Sequence, residues 1–565
     1  MLSDLEIAQR AKIRPITEIA EKLGVKEDEL EPYGRYMAKI DLKILERLKD
    51  RPNGKFITVT AITPTPLGEG KTVTNLGIGQ AFAKIGKKVC NTLREPSKGP
   101  TFGIKGGACG GGYSQVIPME NINLHFTGDI HSVETAHNLF NAALDAHLLH
   151  GNKLNIDPLD ITLRRCVDVS DRALRQIVTG LGGKANGIPR ETGYDITVAT
   201  ETAAIHALTT SLFDLRKRLA RMICGFSYQG KAVTAEDLKV AGAMTVLMKD
   251  SIKPNLVQSL EHSPVIDHGF PFANVAHGNN SVLADMVALK LADYVITESG
   301  FGADCGAEKL IDVVCRQSGL KLDAVVITCS IRALKMHGGA FVLKPGQKYD
   351  RELAEKENMP ALEKGCENLK VHLENMLSFG IPVVVTVNRF TADRDKEIDF
   401  VCKYALDNGA YASVAIDPWA KGGEGCIGAA EAIVKACEEP NNFHLLYPDE
   451  LSIKEKIETI ATRIYRADGV DYSPLAEKRI KLYTKLGYDR LCINMAKTHL
   501  SLSHDPELKG VPKNYRIPVM DIRASVGAGF LYPLLGEMRT MPGLPSVPAF
   551  VPVDIDKTGK TVGLF

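Results

Sequence analysis

Gly70, Lys71 and Thr72 close a turn, TPTPLGEGKT, that follows the apolar run FITVTAI at 56–62. A β-branched run, a glycine turn and a stretch with helical spacing, in that order, describe a phosphate-binding loop. In such a loop the backbone N–H groups and the helix N-terminus face phosphate, a lysine neutralises the outer phosphates and a hydroxyl ligates magnesium. Thr65, Pro66, Leu67, Gly68, Glu69, Gly70, Lys71 and Thr72 are therefore the candidate nucleotide-binding residues, with Thr72 as the magnesium ligand. The chemistry implied is phosphoryl transfer or hydrolysis. The loop departs from the usual spacing in one place: Thr65, followed by Pro66, stands where the first glycine belongs.

Other stretches pair reactive residues with predicted strand ends. KVCNTL (88–93) runs into Arg94-Glu95-Pro96-Ser97, a cation and an anion at the edge where open α/β sheets bind ligands. GIKGGACGGGY (103–113), around Lys105, Cys109 and Tyr113, is dense enough in glycine for close approach to a ligand and reads as an active-site loop. His125, His131 and His137 recur at a spacing that puts them on different faces, which argues against a three-histidine metal site. DYVITESGFGADCGAE (293–308) carries Phe301 and the carboxylates Glu298 and Asp304, which can meet magnesium or cap the next helix. Arg332 and Lys335, in SIRALKMHGG, suggest a further anion contact or a solvated helix face. Phe390 and Trp419, the latter the only tryptophan, each follow a predicted strand and offer two faces for a planar heterocycle.

Positioning these groups takes a layered α/β fold. Strands are expected at 56–62, 88–93, 121–126, 160–169, 195–199, 293–298, 324–329, 382–387 and 411–416. Helical patterns at 73–85, 281–291, 369–377 and 393–406 alternate with them, and residues 1–50 read as helices. The pattern predicts a largely parallel sheet with crossover helices, like that of P-loop NTPases. Linker chemistry at Lys344-Pro345-Gly346 and at 438–442 divides the chain into 1–345, the phosphate-loop domain; 346–440, a second α/β domain bearing the aromatics; and 441–565, a smaller α+β domain.

Composition narrows the partners. In 565 residues, 69 Lys and Arg nearly cancel 68 Asp and Glu, so no global field favours nucleic acid or an anionic membrane. The N-terminus has acidic residues where a secretory signal is basic and then apolar, and no long uncharged apolar run follows. Twelve cysteines without a Cys-x-x-Cys pair point to reduced thiols and a cytoplasmic location. The residues alone leave several activities open: a ligase, a regulatory ATPase whose loops rearrange on hydrolysis, a carboxylate kinase, or a nucleotide-binding protein without chemistry.

Taken in order, TPTPLGEGKT, LREPSKGPTFGIKGGACGGGY, ENINLHFTGDIH, ESGFGADCGAEK, ITCSIRALKMHGG, NRFTAD, WAKGGEG and GAGFLYPLLGEMRTMPGLP resemble the blocks of the formate:tetrahydrofolate ligases over nearly the whole chain. The resemblance implies an enzyme of one-carbon metabolism that joins formate to tetrahydrofolate, consuming ATP with magnesium, by way of formyl phosphate. It further implies that Lys71 and Thr72 hold the outer phosphates and magnesium, and that Arg94 grips formyl phosphate. Phe301 would line the formyl site, and Phe390 and Trp419 would sandwich the pterin. A homotetramer and activation by potassium or ammonium are also implied, with no nucleic acid and no membrane involved.

Overall fold

The computed structural model describes residues 2–104, 108–343 and 350–564. Lys105, Gly106 and Gly107 of the glycine run, and the expected break at Lys344-Pro345-Gly346, lie outside the described residues.

The chain forms a mixed α/β structure around one 12-stranded sheet, with several smaller sheets attached. The strands that matter for function are β1 (Lys55–Ala61), β2 (Val89–Leu93), β3 (Pro264–Asp267), β4 (Tyr294–Glu298), β5 (Ala324–Cys329), β6 (Val383–Asn388) and β7 (Ala412–Ile416). They lie in the order β3-β2-β4-β1-β5-β6-β7 and all pair in parallel. Runs such as AVVITC and VVVTVN are buried at every position, as expected of central parallel strands covered on both faces. The expected unit 346–440 adds β6 and β7 to the same sheet as β1. The segment from 453 onward shares a hydrophobic core with Phe56 and Val325 through Ile457, Tyr465, Ile493 and Phe530.

Helix α1 (Lys71–Lys84) follows β1 and is buried along most of its length. Two glycines set its depth. A Cβ on Gly77 would lie 2.6 Å from Pro418 Cβ, and one on Gly79 would collide with the Asn91 side chain. Asn91 Nδ2 instead donates to Asn75 O at 2.8 Å, tying the helix to β2.

Local expectations fail where tertiary pairing overrides pattern. The stretch 121–126 lies not in a strand but in the short helix Met119–Asn123 and the turn after it; Met119 and Ile122, one helical turn apart, are both buried. The run 160–169 is split into Ile156–Ile161 and Arg165–Val167, because Thr162 and Leu163 both donate to Cys224 O before the chain pairs elsewhere. Of 195–199, only Asp195 and Ile196 are extended. The hairpin Asn255–Ser259 with β3, absent from the expectations, carries the sheet outward to the strands Ala38–Ile40 and Leu30–Pro32.

A buried ion pair fastens that outer part. Lys39 Nζ donates to both Asp129 oxygens at 2.8 and 2.9 Å, to Asn255 Oδ1 at 2.9 Å and to Lys253 O at 3.0 Å, with both charged side chains 1% exposed. Burial raises the Asp129 pKa, but Lys39, His268 and His206 outweigh it and hold the carboxyl below its ordinary value of 3.8. Lys39→Met strands this carboxylate and is expected to cost about 3–5 kcal/mol in urea unfolding at pH 7. Because the folded pKa is depressed, the contribution is full above 3.8 and fades as pH falls through the lower value. Equal stability of variant and wild type at pH 7 would contradict this account.

Candidate active site

The loop after β1 is organised by an acid within it. Glu69, 3% exposed, accepts from Thr65 N at 2.7 Å and from Thr65 Oγ1 at 3.0 Å, while Gly68 N donates to Thr65 O at 3.1 Å. Thr65 thus closes the turn by hydrogen bonds where a glycine would have done it by conformation alone. Gly68 and Gly70 take φ of 71° and 75°, the left-handed region open to glycine, and a Cβ on Gly70 would run into Asn388 Nδ2. The loop delivers partly buried Lys71 as the first residue of α1. Burial pulls its pKa down, Glu69 and Glu298 resist, and Arg94 adds to the lowering. Thr72 Oγ1 donates to Glu298 Oε2, at the end of β4, at 2.8 Å.

Arg94 leaves the end of β2 toward the same place. Its Nε is buried without a hydrogen-bond partner, and Nη1 makes only a 3.5 Å contact to Pro271 O. Burial works against its charge, with Glu298 and Asp267 on the opposing side. Gly300 adjoins the guanidinium, a Cβ there lying 3.4 Å from Arg94 Nη1, and is held to glycine by Ala273 Cβ and Gly278 O, which that Cβ would meet at 2.7 and 2.9 Å. The next residue, Phe301, has a φ of 60° and stacks on His499 with centroids 4.1 Å apart and planes at 13°. Cations with open donors, a helix N-terminus and a hydroxyl held by a carboxylate suit a polyphosphate and a second small anion.

Phe390 and Trp419 stand past neighbouring strands, β6 and β7, and are fixed by different neighbours. Arg332 lies 3.7 Å over the Phe390 ring and donates to Leu67 O at 3.0 Å, joining that aromatic to the loop after β1. Trp419 O accepts from Tyr113 N at 2.9 Å, and a Cβ on Gly112 would lie 2.8 Å from Trp419 Cδ2, so the indole packs on the glycine run.

The sequence profile of the formate–tetrahydrofolate ligases matches residues 2–565. The formate–tetrahydrofolate ligase of Desulforamulus reducens is 62% identical over 563 residues, covering 100% of this chain and 99% of that one. Those of a Roseiflexus species and of Saccharopolyspora erythraea are 55% and 51% identical, again over 100% of this chain and at least 99% of theirs. The chain belongs to the formate–tetrahydrofolate ligase family.

In this ligase the loop 65–72, Arg94 and Glu298 converge on one sheet edge, Phe301 adjoins Arg94 through Gly300, and Phe390 adjoins the loop through Arg332. Lys335 does not join them: it is buried and paired with Glu397 at 3.2 Å, neither on a solvated face nor at the edge. His137 bonds Thr202 and Arg164 O at 2.8 and 2.7 Å as a buried structural group. Sequence reasoning missed Asp267 and His277, buried beside Arg94. For Asp267 the signal was present, since PVIDHG is an apolar run ending in a charge, like KVCNTLRE, but the run was not recognised as a strand; His277 lies outside any such run. Glu95, Asp129 and His268 also lie within 4.8 Å of one another. Both His268 nitrogens are engaged by Ser281 Oγ and Ser251 O, and both Asp129 oxygens by Lys39, so this trio is a satisfied polar network and no metal is assigned to it.

Gly70→Ala forces a left-handed φ on a side chain that also meets Asn388. It is expected to cost about 1–3 kcal/mol in stability, by analogy with other strained backbones, and to weaken ATP at least tenfold by calorimetry. Unchanged ATP affinity and stability would contradict the loop geometry.

Proposed function

We propose that this formate–tetrahydrofolate ligase makes 10-formyltetrahydrofolate, ADP and phosphate from formate, ATP and tetrahydrofolate through formyl phosphate, at the edge where β1, β2 and β4 end. The observation that carries the reading is the convergence of Lys71, Arg94 and the Thr72–Glu298 hydrogen bond there. Formate is a poor electrophile because it is anionic and lacks a leaving group; phosphorylation supplies one. Arg94 pairs with the formate carboxylate through its planar fork and aims an oxygen at the γ-phosphorus, an arrangement that lowers the barrier chiefly by positioning. The loop N–H groups and Lys71 take up charge as the phosphoryl group moves. Arg94 then holds formyl phosphate while the bridge nitrogen of the folate attacks the formyl carbon and phosphate leaves. Phe390 and Trp419 present the pterin, and Phe301 closes the formyl side.

Magnesium fits these residues: the Thr72 hydroxyl donates its hydrogen bond to Glu298, leaving the hydroxyl oxygen's lone pairs free to serve as a hard ligand. Bound there with ATP, the ion would neutralise phosphate charge. The homotetramer and the P-loop class of the nucleotide domain are part of the same proposal, the former tested by light scattering. A cytoplasmic location belongs to the same proposal, in keeping with twelve cysteines that are all free thiols; among the described residues no helix is long and apolar enough to cross a membrane.

The test is product formation with each substrate omitted in turn. Signal that needs ATP, formate and tetrahydrofolate together is expected; ATP hydrolysis indifferent to formate and folate would overturn the reading. Arg94→Ala is expected to lower turnover about 100-fold or more while ATP affinity stays within about twofold, as for loss of a charge-stabilising donor. Trp419→Ala is expected to raise the tetrahydrofolate KM about tenfold, the equivalent of ~1–1.5 kcal/mol of stacking, and to spare ATP. Equal losses for both ligands would instead mark structural damage.

A further inference from the structure

The proposed mechanism leaves one buried acid of the same edge unused. Asp267 ends β3 in register with Leu93, the residue before Arg94. The two chains continue together past the edge: His268 N donates to Leu93 O at 3.0 Å, Glu95 N donates to Gly269 O at 2.9 Å, and Gly269 N donates to Glu95 Oε1 at 3.1 Å. Registered partners on parallel strands share a face, and Leu93 and Val265 pack with Leu76 of α1. Asp267 is therefore on the side of the sheet where Lys71 and Thr72 open that helix.

Its surroundings are unsatisfied. Asp267 is 2% exposed and its Oδ1 has no hydrogen-bond partner, and the same holds for the buried Arg94 Nε and His277 Nε2. Orphaned donors and acceptors around one guanidinium mark a site for a small polar ligand. Charge selects its form. Arg94 faces two carboxylates, Glu298 and Asp267. With both ionised, the pair would over-neutralise the guanidinium and repel an anion; with one neutral, Arg94 can take an anion. Glu298 is committed to Thr72, whereas Asp267 is not committed to any hydrogen bond through Oδ1.

We propose that Asp267 is a formate-binding residue, its protonated carboxyl donating a hydrogen bond to one oxygen of the formate that Arg94 pairs. This rests on the reading of Arg94 given above. Burial and then the charge of Glu298 push the Asp267 pKa up to about 8, with Arg94 pulling it down and Asp129 adding to the rise. A neutral carboxyl at pH 7 is a donor; ionised, it is an acceptor that repels formate. Glu95 and Cys109 also reach Asp267 and are themselves held well above their ordinary values by burial, so the Asp267 variants must separate its titration from theirs.

The experiment measures kcat/KM for formate between about pH 6.5 and 9.5, a range in which formate stays ionised, with ATP and tetrahydrofolate saturating. Wild type is expected to lose about tenfold per pH unit above the Asp267 ionisation, with the ATP KM unchanged. Asp267→Asn, a permanently neutral donor, is expected to lower kcat/KM about threefold at pH 7 and to abolish the alkaline fall. Asp267→Leu is expected to raise the formate KM at least about tenfold. A wild type without the alkaline fall, an Asn variant that keeps it, or a Leu variant with the wild-type formate KM overturns the proposal; if the Leu protein does not fold, the Asn profile decides. Arg94→Ala, run alongside, separates the two readings. An unchanged formate KM in that variant removes Arg94 from the site, whereas a raised one, with Asp267 variants like wild type, removes Asp267 alone.

Discussion

Positive charge at a half-buried sheet edge is costly unless an anion meets it, and this constraint organises the molecule. Lys71 and Arg94 are brought to one edge, and burial opposes the charge of both. Protein carboxylates answer them only in part, with Glu69 engaged by Thr65 and Glu298 by Thr72. What remains uncompensated is what a polyphosphate and a carboxylate substrate supply. Parallel strands suit this arrangement because they place successive carboxyl ends side by side, and the strand order reverses around β1, the place where open α/β sheets take ligands.

The C-terminal segment braces this edge from behind. His372 Nε2 and Asn368 Nδ2 each lie 3.0 Å from Thr63 Oγ1, Asn368 Nδ2 also donates to Gly510 O at 2.8 Å, and His337 Nε2 donates to Thr63 O at 2.8 Å. Lys497 and Asp304 form a buried ion pair at 2.8 Å, three residues beyond Phe301. With the Phe301–His499 stack two residues further along, the start of the loop after β1 and the Phe301 turn both lean on residues 497–510. An unusual backbone such as Phe301 at a φ of 60° persists where such contacts over-determine it.

The parts legible in the sequence were those whose local pattern and tertiary role agree. β1, β2 and β4 to β6 read as strands because central parallel strands are largely apolar and β-branched, and β7, though it is the edge strand and only partly buried, keeps enough of that pattern to be read. The hairpin with β3 was not legible, since PVID is short and its neighbour NLVQS mixes polar with apolar residues, and Asp267 was lost with it. The stretch 121–126 misled because Ile122 and Leu124 alternate as in a strand while burial follows Met119 and Ile122. Lys335 misled because spacing shows that two cations share a helix, not that one faces Glu397 in the core. Thr65 was legible as an irregularity, but its explanation, a hydrogen bond to an acid four residues on, needs coordinates.

The measurement that bears most directly on the central claim uses formate labelled with ¹⁸O in both oxygens. If Arg94 aims a formate oxygen at the γ-phosphorus of ATP, that oxygen bridges to phosphorus in formyl phosphate and leaves with the phosphate when the folate nitrogen attacks. Mass analysis should then find one ¹⁸O in each inorganic phosphate released and one in each formyl group. Unlabelled phosphate accompanying formyltetrahydrofolate would mean that ATP is cleaved without phosphorylating formate, and the convergence of Lys71, Arg94 and Thr72 would need another explanation.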